Sequence, residues 1–275
     1  MKFSGLASRV LVALTLGPLV LLAAYFGGYW FIGFVALIAV ASYWEFSQMA
    51  LKKEALSSKG WGIAVLLFFI LNLKFGWMDK IESLYITILV IMFRELFKNK
   101  GSAILNIGAS ITGIFYIGVC SSSLVLIREY DKFPEDKAGL FIIGYIVSIW
   151  LSDTSAYFGG VSFGKHRLLE RVSPKKSWEG ALGNVLGNLG GAFLMRAFVC
   201  TEWTPVDAIA IGLLLGLVGQ LGDLVESTWK RSAGVKDSNI GISIPGHGGM
   251  LDRVDSLVFA APVLYAYVHF VHGLN

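Results

Sequence analysis

Charge is what this chain has little of. Only 15% of its 275 residues are Asp, Glu, Lys or Arg, 55% are hydrophobic, and mean hydropathy is +0.67. A soluble globular chain carries about 25% charged residues. The deficit, spread over long apolar runs, excludes an ordinary soluble domain and places the chain in a bilayer. Cysteine is scarce as well. Cys120 and Cys200 both lie inside apolar stretches, which excludes a disulfide framework and a thiolate metal site. Of the four histidines, His166 and His247 have no ligand spacing, which argues against a zinc centre. The net charge of +4 is modest, so no nucleic-acid partner is expected. Internal repeats and low-complexity segments are also missing.

What remains is apolar helix. At roughly 20 residues per crossing, the runs predict an all-α polytopic membrane protein of about nine transmembrane helices. They fall near 8–26, 29–51, 60–77, 81–97, 102–127, 138–161, 179–200, 205–228 and 255–272. Lys2 and Arg9 ahead of Val10–Phe26 imitate a signal peptide. No clear cleavage site follows, so the run is read as an uncleaved first helix. With the N-terminus cytoplasmic and the spans alternating, 17 of the 23 lysines and arginines fall on the cytoplasmic side. That bias is what the positive-inside rule demands of a correct topology.

Character shifts along the chain. Residues 1–137 read as plain scaffold helices, and residues 138–275 as the catalytic membrane region. An ionisable residue within a span costs several kcal/mol unless it is paired, hydrated or metal-bound, and is a functional hypothesis by default. Asp153 lies in WLSDTSAYFGG, and Asp223 and Glu226 lie in GQLGDLVESTWKR. Asp223 and Glu226 are i,i+3 and share a helix face, which Lys230 continues. Asp252 and Asp255 follow at the start of the last span. Hard oxygen donors gathered at one membrane face suit Mg²⁺.

Two polar loops sort to the same face. In the first, Ser173, Pro174, Lys175, Lys176 and Ser177 combine a turn, two cations and a hydroxyl able to cap the following helix. Hydroxyls, lysines and a helix N-terminus make an anion site suited to phosphate. In the second, Lys230 to Asp255, the glycines around His247 let the backbone approach a ligand closely. These are Gly246, Gly248 and Gly249, and Asp252, Arg253 and Asp255 come just after them. The glycines Gly183, Gly187, Gly190 and Gly191, and Gly212, Gly216, Gly219 and Gly222, recur at three- and four-residue spacing, as close helix packing requires.

The segment STWKRSAGVKD…PGHGGMLDRVD, Ser227 to Asp255, resembles the signature of the phosphatidate cytidylyltransferases, the CDP-diacylglycerol synthases. Its KR-x4-KD spacing places Lys230, Arg231, Lys236 and Asp237, and the PGHGG-x2-DR-x-D block follows. WLSDTSAYFGG, SPKKSWEG and GQLGDLVES resemble that family too, so the likeness covers roughly residues 139–270. Trp229 departs from a position that is usually aliphatic, and Asp237 to Pro245 is about two residues longer than the common pattern.

The resemblance implies a homodimeric enzyme of the bacterial inner membrane with its active site facing the cytoplasm. It implies Mg²⁺, with K⁺ alongside, and CTP and phosphatidate as substrates. Asp223 and Asp252 would be the metal-centred pair, with Glu226, Asp153 and the SPKKS residues beside them. Lys175, Lys176, Lys230, Arg231 and Arg253 would neutralise phosphate charge. A transporter with a carboxylate relay, and another CTP-dependent lipid enzyme such as a polyprenol kinase, stay open as alternatives. The transporter would require midplane carboxylates on several helices and repeat symmetry.

Overall fold

In a bilayer each spanning segment must satisfy its own backbone N–H and C=O groups, so apolar runs fold as helices. The computed structural model describes residues 5–98, 100–130, 133, 135–239 and 248–272. The helices are α1 (Gly5–Phe26), α2 (Gly28–Leu51), α3 (Lys59–Phe75), α4 (Lys80–Lys98), α5 (Ala103–Gly113) and α6 (Cys120–Arg128), followed by α7 (Glu135–Phe163), α8 (Trp178–Phe198), α9 (Pro205–Ser232) and α10 (Leu251–Tyr267). A π-helical stretch, Ile114–Val119, joins α5 to α6, and another, Val268–His272, extends α10. Each apolar run picked out above falls on helix. Five stretches among the described residues are long and apolar enough to cross a membrane: Gly28–Leu51, Ala103–Arg128, Lys137–Phe163, Pro205–Ser232 and Leu251–His272.

The all-helical expectation needs one amendment. Between α7 and α8, β1 (Arg167–Leu169) and β2 (Ser173–Ser177) form an antiparallel two-stranded ribbon, pairing Arg167 with Ser177 and Leu169 with Ser173. The SPKKS segment is therefore β2 and not only a turn. A two-stranded ribbon is all edge, so Pro174, which has no N–H to donate, is tolerated in it.

The chain forms two compact units that interleave along the sequence. The first comprises the described residues of 1–23, 28–126 and 229–254. Its interior holds Val35, Ile38, Tyr43, Leu66, Ile70 and Ile117, all buried. The turn after α2 is tied to α5: Asn106 Oδ1 accepts from Leu56 N at 2.6 Å, and Ser110 Oγ accepts from Ser58 N at 3.0 Å.

The second unit comprises the described residues of 24–27, 127–228 and 255–275. There α7 and α8 pack backbone to backbone through the glycines. A Cβ on Gly183 would stand 2.5 Å from Ser155 O, and one on Gly187 would stand 2.6 Å from Ser152 Cα. Gly212 and Gly216 meet the backbone of Leu189 and Val185 in the same way. Gly190 faces open space, so it is the exception in the stripe. A buried polar ladder crosses the α7–α8 seam. Ser148 Oγ bonds Asn188 Oδ1 at 3.0 Å, and Asn184 Nδ2 bonds Ser152 Oγ at 3.4 Å.

Candidate active site

In the first unit the polar site is built where α9 stops and α10 starts. The stop is a left-handed glycine. Gly234 takes φ +68, and Val235 N returns to Lys230 O at 2.9 Å, closing the carbonyls of the last turn. The helix thus runs four residues past the expected boundary at 228 and carries Lys230 and Arg231 as helical side chains. Trp229 stabilises that last turn. Its ring lies edge-on between Phe46 (centroids 4.8 Å) and Tyr116 (4.6 Å), and Tyr116 comes from the π-helical stretch. The unusual residue at position 229 therefore fills an aromatic slot beside Lys230.

The start of α10 is set from a distance. Glu45, on α2 and fully buried, accepts from Met250 N at 2.8 Å through Oε1 and from Leu251 N at 2.9 Å through Oε2. A carboxylate there satisfies two amides that a helix N-terminus leaves unpaired. It also explains why α10 begins at Leu251, four residues before the expected 255, so that Asp252 and Arg253 sit in its first turn.

Glu45 Oε2 also accepts from Ser238 Oγ at 2.8 Å. Ser238 in turn donates its N–H to Asp252 Oδ2 at 2.9 Å, and its Oγ accepts from Asp252 N at 3.4 Å. Lys230 Nζ donates to the other oxygen of Asp252. Asp237 braces the glycine turn by accepting from Gly249 N at 3.0 Å and Asn239 N at 2.9 Å. Side chains are excluded here. A Cβ at Gly248, where φ is +81, would lie 2.5 Å from Asp237 Oδ2, and one at Gly249 would collide with Ser238 Oγ.

The second unit presents a parallel arrangement. Along β2, Pro174 and Lys175 are exposed, Lys176 is half-buried and Ser177 is buried, so the strand sinks toward the start of α8. Lys176 Nζ pairs with Asp223 Oδ2 on α9, and Ser227 Oγ donates to Asp223 Oδ1 at 3.3 Å. Ser177 caps α8, its Oγ accepting from Gly180 N at 3.1 Å. Glu179 then accepts from His166, through the backbone N–H at 3.3 Å and against ring Nδ1 at 2.7 Å, tying the ribbon to the helix. Glu226 is fully buried, Asp255 is buried, and Asp153 is exposed.

The expected residues thus fall into two groups. Lys230, Ser238, Asp252, Asp237 and Gly249 are linked in one unit, and Lys176, Asp223 and Ser177 gather near the ribbon in the other. Arg231, Lys236 and Arg253 are exposed, with Arg231 Nη1 donating to Val235 O at 3.1 Å. Ser173 is half-buried at the start of β2. Gly246 and His247 fall in 240–247, outside the described residues, as does most of the longer Ser238–Ile244 segment. Sequence reasoning passed over Glu45. The rule that singled out Asp153 applies equally to a carboxylate in ASYWEFSQ, the middle of an apolar run.

Nearly the whole chain is similar to known proteins. Residues 7–271 match the model of the cytidylyltransferase family. The phosphatidate cytidylyltransferase of Brucella abortus (strain 9-941) is 33% identical over 269 residues, covering 96% of this chain and 93% of the relative. That of Bacillus subtilis is 35% identical over 240 residues, covering 84% and 86%. That of Synechocystis is 34% identical over 264 residues, covering 88% and 89%.

Proposed function

We propose that this chain, which belongs to the cytidylyltransferase family, is an enzyme that transfers the cytidylyl group of CTP to phosphatidate, giving CDP-diacylglycerol and pyrophosphate for phospholipid synthesis. The observation that carries this reading is similarity over nearly its full length to enzymes of that name. Its apolar helices make it an integral membrane protein. We place it in a bacterial inner membrane as a homodimer, with the N-terminus and the site on the cytoplasmic side. The excess of basic residues on that side supports the orientation.

The chemistry required is modest and electrostatic. A phosphate monoester has a second pKa of about 6 and arrives largely dianionic. One of its oxygens attacks the α-phosphorus of CTP. The new P–O bond forms as the bond to the β-phosphate oxygen breaks, and pyrophosphate leaves with the electron pair. No dedicated general base is needed. The obstacle is charge, because two polyanions must meet. Lys176 and Lys230 are each held beside a carboxylate, Asp223 and Asp252 respectively. An ammonium so held is oriented in advance for phosphate oxygens. Exposed Lys175, Arg231, Lys236 and Arg253 add positive charge near the same segments. The acyl tails of phosphatidate stay in the bilayer.

Mg²⁺ fits the donor chemistry of these residues. Among the described residues no three His, Cys, Asp or Glu side chains form a cage. Mg²⁺ does not need one, since it is commonly held by one or two carboxylates plus substrate phosphates. Asp223 and Asp252, each within its own unit, are the carboxylates we assign to Mg²⁺, with Asp153 and Glu226 as supporting groups and K⁺ as a monovalent companion. When bound, the ion neutralises charge on the triphosphate and the leaving group.

Purified protein in detergent, given labelled CTP, phosphatidate and Mg²⁺, is expected to release CDP-diacylglycerol. Asp223→Asn and Asp252→Asn should each lower kcat by about 100-fold or more. A wild-type enzyme without product would overturn the assignment, and an active Asp252→Asn enzyme would overturn the metal role of that residue.

A further inference from the structure

We infer that Glu45 is a positioning residue of the reaction: acting through Ser238 and the first turn of α10, it fixes the carboxylate of Asp252. This rests on the cytidylyl transfer proposed above. A carboxylate with no solvent exposure must be matched by donors, and Glu45 has three: Met250 N, Leu251 N and Ser238 Oγ. All three belong to the segment that carries Asp252. Capping alone would use the two amides. The third bond orients Ser238, whose N–H and Oγ then bond the Asp252 carboxylate and Asp252 N. Lys230 holds the remaining Asp252 oxygen, so both of its oxygens are fixed in one rotamer. Ser238 is itself fully buried, and Gly249 has no side chain to separate it from Glu45. Asp252 is thereby aimed by a residue about two hundred positions earlier in the chain, on a helix that otherwise reads as scaffold.

Glutamine tests this. The side chain introduced by Glu45→Gln would keep the shape but must turn its amide N–H₂ toward one of three donors. In the proposed role, Glu45→Gln lowers kcat per folded enzyme by about 10- to 100-fold, the usual range for groups that orient a ligand-bearing side chain. KM for phosphatidate stays within about twofold, because the lipid is bound by other groups. Ser238→Ala should lower kcat by a smaller factor, and the double variant should resemble Glu45→Gln alone, since both act along one path. Folded fraction is set by size exclusion and thermal unfolding. Hydrogen exchange over 248–256 supplies a reading independent of turnover, and the Met250 and Leu251 amides should exchange faster in Glu45→Gln while the rest of α10 stays protected. Wild-type kcat in folded Glu45→Gln, or additive losses in the double variant, would overturn the role. If the wild-type protein transfers no cytidylyl group, the reaction is what fails. The exchange comparison then decides whether Glu45 holds the segment, and unchanged exchange overturns that too.

Discussion

Ser177 ends the ribbon and begins a helix, and both tasks fall on one hydroxyl. Its Oγ takes the Gly180 amide, one of the donors α8 would otherwise leave unpaired, and the side chain is buried. The neighbouring Lys176 is held against Asp223, so the cap also fixes where that lysine emerges from β2. Ser177→Ala should cost about 1 kcal/mol. That corresponds to a fall in Tm of about 2–4 °C in detergent. A Tm unchanged within about 1 °C would mean that the ribbon and not the cap holds the start of α8. The cap was legible because it is local: a serine stands directly ahead of an expected helix. Glu45 could stand out only as a carboxylate in an apolar run; its role was not legible, because nothing within ten residues of it shows what it bonds. Its partners lie at 238, 250 and 251.

At the scale of the helix, the glycine stripe of α8 was legible as a packing face, but its individual members were not. Spacing gives the periodicity of the face. Which glycine touches a neighbour depends on how the helix is rotated, and that is set by all its contacts at once. The pair Gly187 and Gly190 makes the difference measurable. A methyl on Gly187 would sit 2.6 Å from Ser152 Cα, a backbone atom that cannot step aside. A methyl on Gly190 meets nothing within 4 Å. Gly187→Ala should therefore destabilise by about 1–3 kcal/mol through overpacking. Gly190→Ala should be neutral or stabilise by up to about 1 kcal/mol, since alanine is the better helix former. In thermal unfolding Tm should fall in Gly187→Ala and hold or rise in Gly190→Ala, and equal shifts would contradict the close α7–α8 approach. The misplaced helix ends have the same origin. The sequence around 228 and 251 reads as loop because what lengthens α9 and α10 there is an aromatic slot and a capping carboxylate supplied from α2.

For the molecule as a whole, the helical runs could be read from hydropathy alone, because bilayer thickness fixes their length. Their assembly into interleaved units could not. The described residues of 229–254 fold with the N-terminal helices, and no periodicity along the chain announces a partner more than a hundred residues away. The orientation of the runs rests on charge, and it makes a prediction that thiol labelling can check. Cys120 and Cys200 are both buried, so native thiols give little background. Lys53, Lys80, Arg171 and Glu202 are exposed and lie in the polar connections between runs. With the N-terminus cytoplasmic and nine crossings, Lys80→Cys and Glu202→Cys face outward and should react with a membrane-impermeant maleimide on intact cells. Lys53→Cys and Arg171→Cys should react only after permeabilisation. Arg171 is the decisive position, since it lies in the turn of the ribbon that carries Lys175 and Lys176, and CTP is made and used in the cytoplasm. Labelling of Arg171→Cys on intact cells would place that ribbon on the wrong side of the membrane for its nucleotide, and the proposed orientation would fall with it.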